Sequence, residues 1–271
     1  MSLTKSRKVL SFILSLLMAA GALMFFSSQT ISQLMINENV AARFLASDSV
    51  NNACLENFKD RIKAVEAASG IPSRVFETVL NKSTPSVESS VRNIFSGADT
   101  YSYNDDLVSR FEDLCIEYLD GNNMDYDKAQ VHNTAVYAAQ VYSDCFSIKD
   151  SSQLSTFAAD VKDNHAKFAS VGLLIVVVCI MLISVLFSQK SERGRALASS
   201  FSAVGASVFL TGAVGAVVSL AVDIRITPQI YASALKSQAA VSCCVMAFLG
   251  ALILAAATAF LVKYYQKKKK G

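Results

Sequence analysis

Apolar positions fall into two patterns along this chain. Four runs are apolar on every side, at residues 9–26, 169–187, 197–222 and 239–262. The stretch 171–187, VGLLIVVVCIMLISVLF, has no charge and no proline, and only Gly172 and Ser184 dilute it. A helix rises about 1.5 Å per residue, so about 20 apolar residues cross the hydrocarbon core of a bilayer, and each run is long enough to do so. Between the first and second runs the pattern changes to stripes at helical spacing, which need one apolar partner face and leave the rest of the helix to water.

The striped region predicts a series of helices. From residue 9 to residue 70 there is no proline, and only Gly21 interrupts good helix formers. The first span is therefore expected to continue outward, with Ile31, Leu34, Met35, Ala41, Ala42 and Leu45 as its stripe. A second helix starts near Ser49, buries Val50, Cys54, Phe58, Ile62 and Val65, and stops at Gly70. Ile71-Pro72 opens a short helix through Leu80. Thr84-Pro85 opens another, as cap and first helical residue, ending at Gly97. Asn104-Asp105-Asp106 caps the strongest stripe in the chain, Leu107, Val108, Phe111, Leu114, Cys115, Tyr118 and Leu119. The turn 120–123 leads to a helix over 127–147. Asp150, with Gln153 three residues on, caps a last helix whose stripe, Leu154, Phe157, Ala158, Val161 and Phe168, runs straight into the second span. That helix is expected to continue for about 38 residues, about 57 Å, as a strut shared by the polar and apolar parts. No segment alternates with period two for long enough to require a strand.

The expected fold is thus an all-α integral membrane protein with four transmembrane helices and an all-helical extracytoplasmic domain inserted between helices 1 and 2. The expected divisions are residues 1–28 (N-terminus and first span), 29–168 (helical domain), 169–188 (second span), 189–196 (cytoplasmic turn), 197–262 (a hairpin of spans three and four) and 263–271 (basic tail). About 140 residues in the helical domain suffice for a core of their own.

Composition agrees. The chain is 52% hydrophobic and 17% charged, with a mean hydropathy of +0.38, too apolar for a soluble domain of 271 residues. Lys5, Arg7 and Lys8 could head a cleaved signal peptide. The apolar part that follows is long and ends in Met24-Phe25-Phe26 without a small-x-small site, so an uncleaved anchor is the preferred reading.

Charge adds orientation. Residues 27–170 hold 20 acidic and 12 basic side chains; the rest of the chain holds 13 basic and 2 acidic. The basic excess sits at span ends: Lys5, Arg7 and Lys8, then Lys190, Arg193 and Arg195, then Lys263 and Lys267 to Lys270. By the positive-inside rule all three clusters are cytoplasmic, which places both termini inside the plasma membrane, residues 27–170 outside and 223–236 as a short second outer loop. The lysine tail reads first as a stop-transfer anchor. Binding to anionic lipid, at about 1 kcal/mol per residue, and a dilysine retrieval signal at Lys268-Lys269 are alternatives.

Candidate chemistry is sparse. Cys54, Cys115 and Cys145 each fall on an apolar stripe, which favours buried free thiols, with a disulfide from Cys54 to one of the others as the alternative. Cys115 and Cys145 lie on successive helices about 20 Å out of register in a straight hairpin, so that pair is out of reach. His132 and His165 have no Cys or His at ligand spacing, and the acidic pairs Asp105-Asp106 and Glu112-Asp113 match no calcium loop. Asn81-Lys82-Ser83 matches a glycosylation sequon. No catalytic residue, metal or cofactor is expected, nor nucleic acid as a partner, and an enzyme is disfavoured.

In the spans, Ser207, Thr211, Gly215 and Ser219 recur every fourth residue, with Gly205 and Gly212 nearby, and Cys243, Ala247, Ala251, Ala255 and Ala259 keep the same spacing. Small residues at this spacing let backbones approach, so Ser207, Thr211, Gly215 and Ser219 are expected to pack against Ala247, Ala251 and Ala255 and hold spans three and four together, or to serve a homo-oligomer or membrane-protein partner. No Asp, Glu, Lys, Arg or His lies inside any apolar run, which disfavours an ion or proton pathway. In layout the chain resembles the ligand-binding bundles of bacterial chemoreceptors and sensor kinases, a helical outer module held between two spans. It departs from them in the turn 188–195 and tail 263–271, which hold no kinase, cyclase or methyl-accepting helix. The expected function is a membrane-anchored binding or sensory-accessory protein whose outer domain meets a ligand or partner; the alternative is a small channel or transport subunit.

Overall fold

A computed structural model of the chain describes residues 3–35, 47–82, 105–148, 152–187 and 189–270. They form eight helices and no strand: α1 (Leu3–Met35), α2 (Asp48–Ser69), α3 (Ser73–Lys82), α4 (Asp105–Gly121), α5 (Lys128–Phe146), α6 (Ser152–Leu186), α7 (Lys190–Ala221) and α8 (Gln229–Lys270). Four contain stretches long and apolar enough to cross a membrane: Ser6–Ser32, Ala159–Leu186, Lys190–Ala221 and Gln229–Gln266. Length and composition thus make the chain a multi-pass membrane protein. Each helix outruns its apolar run, because once a helix is nucleated every further residue adds a hydrogen bond at little cost. The expected helix over 84–97, the caps at Asn104 and Asp150, and Ala41, Ala42 and Leu45 lie outside the described residues. So do the side chains of Leu34, Met35, Leu154, Phe157 and Ala158.

The chain divides into two compact units. The first, the membrane unit, holds residues 1–37, 160–222 and 236–271; the second, the helical unit, holds 38–159 and 223–235.

In the helical unit, local signals start and stop the helices where the sequence places them. Gly70 has a φ of +72° and returns its N–H to the Glu66 carbonyl at 2.8 Å, closing α2 in a left-handed conformation that only glycine adopts without cost. The Asp127 carboxylate accepts from the Ala129 N–H at 3.0 Å and opens α5. All five residues of the α2 stripe are buried. On α4, Leu107, Val108, Phe111, Cys115 and Leu119 are buried, while Leu114 and Tyr118 are half-buried at the edge of the stripe. Aromatic rings tie the helices together. Phe58 of α2 meets Tyr142 and Phe146 of α5 at 5.8 and 6.0 Å, and Phe111 of α4 meets Phe76 of α3 at 6.1 Å and Tyr142 at 6.2 Å.

Residues 223–235 complete this core, with Ile226, Tyr231, Ala232, Ala234 and Leu235 buried. The segment that reads in sequence as a short second outer loop contributes buried side chains, and the helical unit draws on two stretches of chain. The reason is local: Ile226, Ile230-Tyr231 and Leu235 give this segment an apolar face.

In the membrane unit, one apolar cluster draws on all four helices: Leu14, Met18 and Ala22 of α1, Cys179 and Ile183 of α6, Val204 and Val208 of α7, and Met246 of α8. α6 runs unbroken for 35 residues, as its uninterrupted sequence predicts. Its stripe does not continue inward as far as Phe168, which is exposed. That residue lies inside the candidate span, where an outward aromatic meets lipid and needs no protein partner.

Candidate functional site

Two clusters have the geometry to matter, one in each unit. In the helical unit the Tyr231 side chain is fully buried and sits at the middle of a short hydrogen-bonded chain. The Cys54 thiol donates to the Tyr231 oxygen at 3.6 Å, and the Tyr231 hydroxyl donates to the Phe146 carbonyl at 3.3 Å. A buried phenol needs such partners, because leaving its hydroxyl unpaired costs about 1–3 kcal/mol. The C-terminal carbonyls of α5 have no partner within the helix, and Tyr231 satisfies one of them. Beside this chain Arg61 of α2 pairs with Asp144 of α5 at 2.9 Å.

Cys54, Cys115 and Cys145 are buried free thiols. Burial pushes the Cys54 thiol up from its ordinary value, opposed by its hydrogen bond to Tyr231. Burial likewise pushes up Cys145, opposed by the Arg61 guanidinium. Cys115 is pushed up to about 11, by burial first and by the Glu112 carboxylate second. A protonated buried thiol is a poor nucleophile and a poor ligand, and all three sulfurs lie in the buried core of the helical unit. His132 pairs with Glu112 at 3.0 Å, and the His165 ring nitrogen lies 3.1 Å from the Lys162 carbonyl of its own helix. Among the described residues no group of three His, Cys, Asp or Glu side chains could hold a metal ion.

In the membrane unit the helices touch backbone to backbone. A Cβ on Gly205 would stand 2.5 Å from the Leu254 nitrogen and 2.9 Å from the Gly250 carbonyl oxygen. On Gly212 it would stand 2.5 Å from the Ala247 nitrogen and 2.7 Å from the Cys243 carbonyl oxygen. The expected ridge is therefore only partly on the seam between α7 and α8. Gly215 faces the Cys243 side chain, whose sulfur a Cβ would approach to 3.0 Å, and the Ser219 hydroxyl lies 3.9 Å from the same sulfur. Ala247 takes part through its backbone, and Ala251 is half-buried. Thr211 and Ala255 are exposed and Ser207 is half-buried, with Val204, Gly205, Val208 and Gly212 the buried face of this part of α7.

A strict fourfold repeat drifts around a helix of 3.6 residues per turn, whereas Gly205 and Gly212, seven apart, stay on one face. A second crossing went unmarked in the sequence pattern. Gly21 of α1 and Gly172 of α6, which look like interruptions of apolar runs, bring their helices so close that a Cβ on Gly172 would stand 2.5 Å from the Gly21 carbonyl oxygen. Nearby the Ser28 hydroxyl donates to the His165 carbonyl at 2.7 Å, and the Ser15 and Ser200 hydroxyls tie α1 to α7 at 2.6 Å. The signal available in advance was that each glycine sits alone in the middle of a span, where helix propensity disfavours it unless close approach repays the cost.

No protein-family model, curated protein or solved structure matches this chain.

Proposed function

We propose that the chain is a membrane-anchored binding or sensory-accessory protein of the plasma membrane, with its helical unit outside and both termini in the cytoplasm. The observation that carries this reading is the buried Tyr231. The segment between α7 and α8 and the segment between α1 and α6 share one aromatic core, and two loops share a core on one side of a bilayer when an even number of spans separates them. The acidic excess of residues 27–170 and the three basic clusters elsewhere support the orientation. A folded module with its own core, attached at both of its chain segments to spans, is suited to presenting a surface to a ligand or partner and to passing strain into α8.

Two measurements on intact cells test it. In a cysteine-free background, Met124→Cys in the helical unit should label with an impermeant maleimide and Ser191→Cys should not; the reverse pattern would overturn the orientation. Photo-crosslinking residues at the exposed Met124 and Tyr137 should then capture a partner or ligand. Absence of any adduct there, together with ion or solute flux through the purified protein in liposomes, would replace a binding role with a transport one.

A further inference from the structure

The seam between α7 and α8 opens into a groove at the basic end of the membrane unit. Where Gly205 meets Gly250 the two backbones touch. About three turns further on, small residues on both helices leave a space that only a ring bridges: a Cβ on Gly194 would stand 3.2 Å from the edge of Phe260. The groove has a volume of about 440 Å³ and is walled by Leu197, Phe201, Ile253, Ala256 and Phe260. Every side chain lining it is apolar.

Charge gathers at its end. Gly194 is flanked in sequence by Arg193 and Arg195, and Lys263 follows Phe260 by three residues, one turn along α8. Arg193 is partly engaged, its Nε donating to the Phe187 carbonyl at 3.2 Å, while Arg195 is half-exposed and Lys263 exposed. Against these the only carboxylate in the stretch 189–222 is the exposed Glu192. A partner helix, about 10 Å across, does not enter a space that one phenyl ring bridges; a hydrocarbon chain does.

We infer that this groove binds an anionic glycerophospholipid, with an acyl chain along Leu197, Phe201, Ile253 and Ala256 and its phosphate at Arg195 and Lys263. An apolar slot ending in two or more cations is complementary to that ligand along its whole length, and to a zwitterionic lipid only in the slot. The inference needs the four helices to lie in a bilayer and is independent of which side the helical unit faces.

The test uses the full-length protein equilibrated in equimolar phosphatidylglycerol and phosphatidylcholine nanodiscs, with retained lipids counted by native mass spectrometry. Two cations at about a factor of five each predict retention of phosphatidylglycerol over phosphatidylcholine of about twenty-five-fold. Arg195→Gln with Lys263→Gln should abolish that preference while leaving retained lipid. Ala256→Phe, at an exposed position on the groove wall, should remove the retained lipid altogether. Equal retention of the two lipids by the unaltered protein would overturn the proposal, as would a preference that survives the double substitution. A change of subunit number with Ala256→Phe at unchanged lipid retention would also overturn it, and would assign the groove to a second copy of the chain.

Discussion

At the crossing of α7 and α8 a Cβ on Gly205 would stand 2.5 Å from a neighbouring backbone nitrogen; at the centre of the helical unit the rings of Phe58, Tyr142 and Phe146 meet at 4.7 to 6.0 Å. Both units are bundles of helices, and the difference lies in what surrounds them. Water rewards the burial of large apolar side chains, at about 25 cal/mol per Å², so the helical unit is built on Phe, Tyr and Ile. Lipid tails are as apolar as any side chain and offer no such reward. The membrane unit therefore gains from close backbone approach, which glycine permits, and from small hydroxyl pairs such as Ser15 with Ser200. Many large apolar residues of the membrane unit also face outward, with Val185, Val217 and Phe248 among the most exposed side chains, while Leu14, Met18 and Ile183 fill its central cluster.

The sharpest way to break this comparison is to put a large side chain at the backbone contact. Gly250→Leu drives its side chain into the Phe209 backbone, where no flexible neighbour can yield, and should cost more than about 3 kcal/mol, beyond the usual range for overpacking. Gly215→Leu meets only the Cys243 side chain and should cost about 1 kcal/mol. Val217→Leu, on an exposed face, should stay within about 0.5 kcal/mol. Thermal unfolding of the three variants in one detergent ranks them. If Gly250→Leu and Val217→Leu melt together, close approach plays no part in holding α7 to α8.

The next effect comes from the opposite residue type in the other unit. Tyr231→Ala removes a fully buried aromatic from the core of the helical unit and should cost about 3–5 kcal/mol. Tyr231→Phe keeps the ring, leaves the Phe146 carbonyl without its donor, and should cost about 1 kcal/mol. A Tyr231→Ala protein as stable as its parent would remove residues 223–235 from the core, and with them the shared core on which the proposed function rests.

The two units also differed in how far their sequences could be read. The α2 stripe of Val50, Cys54, Phe58, Ile62 and Val65 and the cap at Gly70 were legible residue by residue, because in water an amphipathic helix declares its buried face. In a span every face is apolar, so hydropathy marks that a helix crosses and not which side packs. Only the small residues carry that information: of those at a spacing of four, Thr211 and Ala255 are exposed, while Gly250 and the pair Gly21 and Gly172 stand at backbone contacts. Tyr231 was missed for another reason. Its partners Cys54 and Phe146 are 177 and 85 residues away, and no local pattern reports a contact of that range.

A smaller effect separates the units through their titration. In the helical unit, burial first and the Glu112 carboxylate second raise the Cys115 thiol from an ordinary value near 9 to about 11. The raised value means that the folded protein holds this proton after the unfolded chain has released it. Stability from Cys115 is therefore complete below about pH 9 and declines as pH climbs toward 11, a loss of about 2–3 kcal/mol over that window. Other groups titrate in the same range, so the informative quantity is a difference of slopes. Cys115→Ala cannot ionise, and its unfolding free energy, measured by urea titration at pH 8 and again at pH 10.5, should fall less than that of the parent by most of this amount. The offset between the two proteins at pH 8 reports only the packing lost with the sulfur. Parallel slopes would mean that Cys115 is hydrated in the folded state, and that the core around Phe111 and Leu119 is looser than its burial indicates.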